Sequence, residues 1–162
     1  MHELRDATRS FFFRAMLQGW ASDKGVKTKP CDLPGYKVMR FEKEKFVLVD
    51  SYCKSGEFLH SKSAGTTTIW HDNVPVWWMS YGGYYEKSAI PFLKQSLLLA
   101  YGIHEFVGGR GMLFHSDGSM IYINHPEINE FSFFRGREEV IDLSAGSLGE
   151  HVYWGMSLIH NW

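Results

Sequence analysis

Apolar residues recur along this chain at two spacings, and the change from one to the other divides it. Between residues 3 and 19 the spacing is helical: Leu4, Ala7, Phe11 and Ala15 share one face, and Phe13, Met16, Leu17 and Trp20 widen it. A stripe this broad needs a sheet to lie on. From residue 36 the period drops to two, which predicts a hairpin of strands 36–41 and 46–52 about the charged turn Glu42-Lys43-Glu44-Lys45. A second hairpin, 66–71 and 74–81, turns at Asp72-Asn73. The pattern is helical again over 89–101, with Ser88 as the predicted cap, Pro91 in the first turn, Ile90, Leu93 and Leu97 on the buried face, and Gly102 as the stop. Strands are then predicted over 112–115, 120–124, 130–134, 138–143 and 151–159, with Ser116-Asp117-Gly118-Ser119 as a tight turn.

The run Val74 to Gly83 is the densest in aromatic residues and reads as a central strand. Alternation sets Trp77, Met79 and Tyr81 on one face and Val76, Trp78 and Ser80 on the other, and two bulky rows predict that both faces are covered. Pro75 suits the first residue of such a strand, and Gly82-Gly83 is expected to end it. Helices arriving singly among runs of strands indicate an α+β fold, with two helices packed on antiparallel sheet in one domain spanning 1–162. Gly65-x-Thr67-x-Ile69 parallels Gly136-x-Glu138-x-Val140, and Val76-Trp77-Trp78 parallels Val152-Tyr153-Trp154. This weak internal repeat predicts two similar sheet halves.

Composition narrows the function classes. A net charge of -1 leaves no general footprint for nucleic acid, so none is expected as a partner. No stretch approaches the ~20 apolar residues that span a bilayer, and no signal-type segment opens the chain, so neither a membrane nor export is expected and the cytoplasm is the default. Two cysteines, Cys31 and Cys53, make neither a disulfide framework nor a zinc site, and the eight histidines lack ligand spacing. No metal and no cofactor are therefore expected. Basic residues exceed acidic ones over 1–50 and the balance reverses over 112–162, which fits mutual attraction of the two ends better than a polar cleft between them. In the polar segment 21–35, Lys24, Lys27 and Lys29 are either solvated or placed to guard an anion site.

The candidate site residues are polar groups on rows that should face inward. Phe46, Leu48, Asp50 and Tyr52 share a strand face, and Glu138 shares one with Val140. A buried carboxylate must be paired or hydrogen-bonded, and Arg110 or a tyrosine is the obvious partner. Gly108-Gly109-Arg110-Gly111 reads as a flexible loop that either turns, with its Arg on a carboxylate, or gathers backbone N–H groups and a planar guanidinium around an anion. With the aromatic row of Trp77 and Tyr81, the candidate ligand-binding set is Asp50, Tyr52, Trp77, Tyr81, Arg110 and Glu138.

Asp50-Ser51-Tyr52, Gly65, Pro75-Val76-Trp77-x-Met79-x-Tyr81-x-Gly83, Phe92-Leu93-Lys94-x-x-Leu97, Arg110-Gly111, Phe134-x-Gly136-x-Glu138 and Val152-Tyr153 resemble, in order, an uncharacterised bacterial family, domain of unknown function 5680. The resemblance covers most of the chain from Asp32 onward. It implies a stand-alone small protein or a domain attached to a helix-turn-helix regulator, and it implies no particular activity. Thr67 stands where a Glu is usual and Ser80 where an Asn is usual, while the usual terminal His-Gly-Gly is represented by His160-Asn161-Trp162. Taken together, the residues favour a small-molecule binding or sensor module, its ligand possibly anionic, over a hydrolase using Asp50 or Glu138 with Arg110. A structural or interaction protein without a pocket ranks third.

Overall fold

The computed structural model describes residues 2–22, 26–55, 62–160 and 162. Helix α1 (His2–Met16) leads through a 3-10 turn into a short edge strand β1 (Lys27–Thr28). The strands β2 (Tyr36–Lys43), β3 (Phe46–Lys54), β4 (Lys62–His71) and β5 (Val74–Tyr85) follow as a meander. Helix α2 (Ile90–Gly102) and a second meander, β6 (Phe114–Ser116), β7 (Met120–Glu130), β8 (Phe133–Asp142) and β9 (Gly146–Ser157), complete the chain. All pair antiparallel in one nine-stranded sheet of order β1-β2-β3-β4-β5-β9-β8-β7-β6, so the two meanders meet through their last strands. The fold is broadly α+β.

The hairpin at Asp72-Asn73 forms because both residues take positive φ, 48° and 66°, which suits the twist of the flanking strands. Gly102 ends α2 as expected, but Gly82-Gly83 does not end its strand. β5 continues through Gly82-Gly83 to Tyr85, and at Gly83 a side chain would run into the Glu150 carbonyl of β9, so the glycine allows close approach within the strand. Gly136 likewise lies inside β8, where an added Cβ would stand 2.5 Å from the Tyr153 hydroxyl. The two strands predicted over 130–134 and 138–143 are therefore one, and four strands follow α2 instead of five. Ser88 does not cap α2: it lies in a 3-10 turn, Lys87–Ala89, and Ala89 precedes the helix without a side-chain cap.

Trp77 and Met79 are buried with Ile69, Phe134 and Tyr153 under Phe11, Phe12 and Phe13 of α1 and Leu93 and Leu97 of α2. The helices cover this face alone. Trp78 and Ser80 lie on the other, beside Val152 at 60% and Trp154 at 44% exposure, so the expectation that both faces are covered is overturned. The Trp78 and Trp154 rings shelter one another at 4.7 Å, edge to face, which is how a bulky residue tolerates an uncovered face. Among the described residues no helix is long and apolar enough to cross a membrane.

Candidate functional site

Pairing register brings the polar groups of the inner face together. Asp50 on β3 lies opposite Thr67 on β4, and Gly65, two residues earlier, lies opposite Tyr81 on β5. A Cβ at Gly65 would be 2.6 Å from the Tyr81 ring, so its absence lets the ring lean across β4 towards β3. The Tyr81 hydroxyl donates to Asp50 Oδ1 at 2.9 Å, and Thr67 Oγ1 donates to the same oxygen at 2.8 Å. Oδ2 has no partner among the described residues. Burial raises the Asp50 pKa above the usual carboxylate value, while the two hydroxyls and the nearby Arg110 hold the rise back.

Arg110 is held by a fixed loop, which corrects the reading of that loop as flexible. Gly108 and Gly109 take φ of +59° and +68°, and a side chain on Gly108 would collide with the Tyr153 ring. Asn124 Nδ2 donates to the carbonyls of Val107 (3.0 Å) and Gly111 (3.1 Å), and the Tyr101 hydroxyl donates to that of Gly109 (3.1 Å). The backbone N–H groups of Gly108 and Gly111 are themselves engaged by Asn129 Oδ1 and the Tyr122 hydroxyl. They do not converge on an anion. The guanidinium alone turns inward, where Nε, at 3.0 Å, and Nη2 both donate to Glu138 Oε1. Tyr122 donates to Oε2 at 2.6 Å, completing the carboxylate. Arg110 Cζ stands 5.0 Å from the centroid of the Tyr81 ring, a cation–π contact that ties this pair to Asp50. Burial is the largest single influence and opposes the guanidinium charge, but Glu138 together with Tyr101 and Tyr122 outweighs it and holds the Arg110 pKa above its usual value. Among the described residues Nη1 has no acceptor.

His151 on β9 completes the group. Its Nε2 is 3.2 Å from Ser63 Oγ, while its buried Nδ1 lacks a hydrogen-bond partner and stands 3.9 Å from Glu138 Oε1. Burial first, and the Arg110 charge second, lower its pKa from 6.5 to about 4 against the pull of Glu138. A histidine that folds neutral takes up its proton more easily when unfolded. Its contribution to stability is therefore complete above pH 6.5 and is lost as pH falls through 4, about 3 kcal/mol in all. Asp50, with its raised pKa, changes stability in the opposite direction. Chemical denaturation of the wild type and His151→Gln at pH 7, 5.5 and 4.5 isolates the histidine: the variant should lose less stability on acidification, and parallel curves would show that His151 does not fold neutral.

These groups form the floor of a cleft of about 320 Å³ between the inner face of β2–β5 and the helices. Met16, Met39, Phe41, Leu48, Leu93 and Leu97 supply apolar wall, and Lys27, Lys37, Lys54 and Lys87 stand around it. Of the six residues proposed from sequence, Asp50, Tyr52, Tyr81 and Arg110 line the cleft. Glu138 lies behind Arg110, fully buried. Trp77 is in the core, its Nε1 donating to the Phe131 carbonyl at 2.9 Å, and it does not reach the cleft. Lys27 does, Lys29 does not, and Lys24 lies outside the described residues. Ser63, Tyr85 and His151 were missed. His151 carried the same signal as Asp50, a polar residue on the inward row of a strand, with Tyr153 and Gly155. Among the described residues no group of three or more His, Cys, Asp or Glu is placed to hold a metal ion. Comparison with protein-family models, with curated proteins and with solved structures gives no significant match.

Proposed function

We propose that the chain is a small-molecule binding or sensor module whose ligand occupies this cleft. One observation carries the reading: Asp50 Oδ2 and Arg110 Nη1, an acceptor and a donor on buried side chains, both lack protein partners at the floor of a mostly apolar concavity. Neither atom is sealed from solvent, so each opens into the cleft, and a ligand with a neighbouring donor and acceptor would replace water on these two. The chain is also assigned to the family it resembles. Asp50, Tyr52, Tyr81 and Arg110 of the shared pattern line the cleft, while its Gly65 makes room for Tyr81 and its Gly111 and Gly136 for Tyr122 and Tyr153. At Thr67, where that family usually has Glu, a hydroxyl donates to Asp50, and no second carboxylate competes with it. We further read each helix with its four-strand meander as one half of a duplication. On this view the second half lends Arg110 and His151 to a cleft built mainly on the first.

A thermal-shift panel of nucleotides, sugars and organic acids tests the binding reading, because a ligand at ~100 times its Kd adds about 2.7 kcal/mol to the folded state. Met16→Trp, which fills the cleft from its wall, should abolish any such shift. A silent panel, or a shift that survives Met16→Trp, refutes the site.

The Ser63–His151 contact favours a second reading, ester hydrolysis with Ser63 as nucleophile and His151 as base. It ranks lower because burial and Arg110 oppose the protonated imidazole that this chemistry must form. Labelling of Ser63 by a fluorophosphonate, lost in His151→Gln, would promote it.

A further inference from the structure

Resting on the binding reading, we infer that the ligand is a single-bodied amphipathic carboxylate, bound with its apolar body along the cleft, an uncharged polar group over Asp50 and Arg110, and its acid on the lysines of β2 and β3 and not on the Arg110 guanidinium. Strand register gives the cleft a polarity. Phe41 pairs with Leu48 at one end, Asp50 lies opposite Met39 in the middle, and Lys37 opposite Tyr52 and Lys54 opposite Ser63 mark the other end. Lys87 follows the end of β5, whose Tyr84 lies opposite Lys62 at the start of β4, and so belongs to the same end. None of Lys37, Lys54 and Lys87 is paired with a carboxylate among the described residues, and the one acidic side chain lining the cleft is Asp50.

The floor is the wrong place for the acid. Arg110 already gives two donors to Glu138, which neutralises it, and Asp50 beside it would repel a second carboxylate. Among the described residues the lysine end carries positive charge that no carboxylate pairs with, and it has solvent to hydrate an ion, so the charged group gains there what it would lose inside. A volume of about 320 Å³ is at the lower end of small-molecule sites, commonly ~300–1,000 Å³, which suits one chain or a small ring system and not a two-chain lipid.

Isothermal titration with decanoate, decanol and decyltrimethylammonium tests the inference on the full chain. Decanoate should bind at least tenfold more tightly than decanol, and decyltrimethylammonium should be the weakest. The triple variant Lys37→Gln, Lys54→Gln, Lys87→Gln should lower decanoate affinity about tenfold and leave decanol unchanged, and added salt should mimic it. Decanol binding as tightly as decanoate, or decanoate binding unaffected by the triple variant, overturns the acid-outward assignment while leaving the cleft a binding site. If none of the three binds, the inference fails; if the wider panel is silent as well, the binding reading fails with it.

Discussion

Arg110→Ala should lower the stability of this protein by about 3 to 5 kcal/mol, because it leaves the Glu138 carboxylate fully buried without its guanidinium partner, with Tyr122 as its one remaining side-chain hydrogen-bond donor among the described residues. That is a large share of the ~5–15 kcal/mol that holds a typical domain together. The contact is made through one oxygen, Oε1, so the geometry is that of a shared acceptor and not of two parallel bonds. Lysine keeps the charge but cannot offer Nε and Nη2 together, so Arg110→Lys should lose part of the same stability. The double variant Arg110→Met, Glu138→Leu removes both desolvated charges and should recover most of the loss seen in Arg110→Ala, though Tyr122 is left without its acceptor. Urea midpoints at pH 7, read with unchanged slopes, give these differences directly. A loss below about 1 kcal/mol for Arg110→Ala would mean the pair is solvated and does not anchor the floor of the cleft.

The same residues show what could be read before the fold was seen. Period-two alternation located the inward carboxylates Asp50 and Glu138, because a sheet face fixes which side chains share an environment whatever the topology. It also put Trp77 into a ligand site, where the structure buries it in the core; alternation gives the face but not the position along the strand. The glycines were the main source of error. Gly82-Gly83 reads as a strand end and the segment around Gly136 as a gap between two strands, yet Gly83 and Gly136 each leave room within a strand for an atom of the neighbouring one, a carbonyl in the first case and a tyrosine hydroxyl in the second. Local sequence does not distinguish a turn from such a close approach, since both exclude a side chain. The cleft was illegible for a different reason. It depends on Lys37, Lys54, Ser63 and Lys87 reaching the same end, and that follows from cross-strand register, which no single segment encodes.

Trp77→Ala should cost about 3 to 5 kcal/mol, through lost burial and the cavity left in a ring cluster that cannot close without moving both helices. The indole is fully buried and stacked between Phe131 and Phe134, at 5.4 and 5.3 Å, with Phe12 of α1 tilted against it at 5.2 Å. Its Nε1 donates to the Phe131 carbonyl, so even Trp77→Phe should cost about 1 kcal/mol or more by leaving that acceptor unpaired. Trp78, one residue later, provides the control. It lies on the face without helices and its main ring contact is Trp154, so Trp78→Ala should cost about 1 kcal/mol, near the centre of the range for single substitutions. The adjacent pair therefore reports which face of β5 carries the core. Equal losses in the two alanine variants, measured by urea denaturation, would mean that something covers the second face after all; a larger loss at Trp78 would reverse the assignment of inner and outer rows on which the position of the cleft depends.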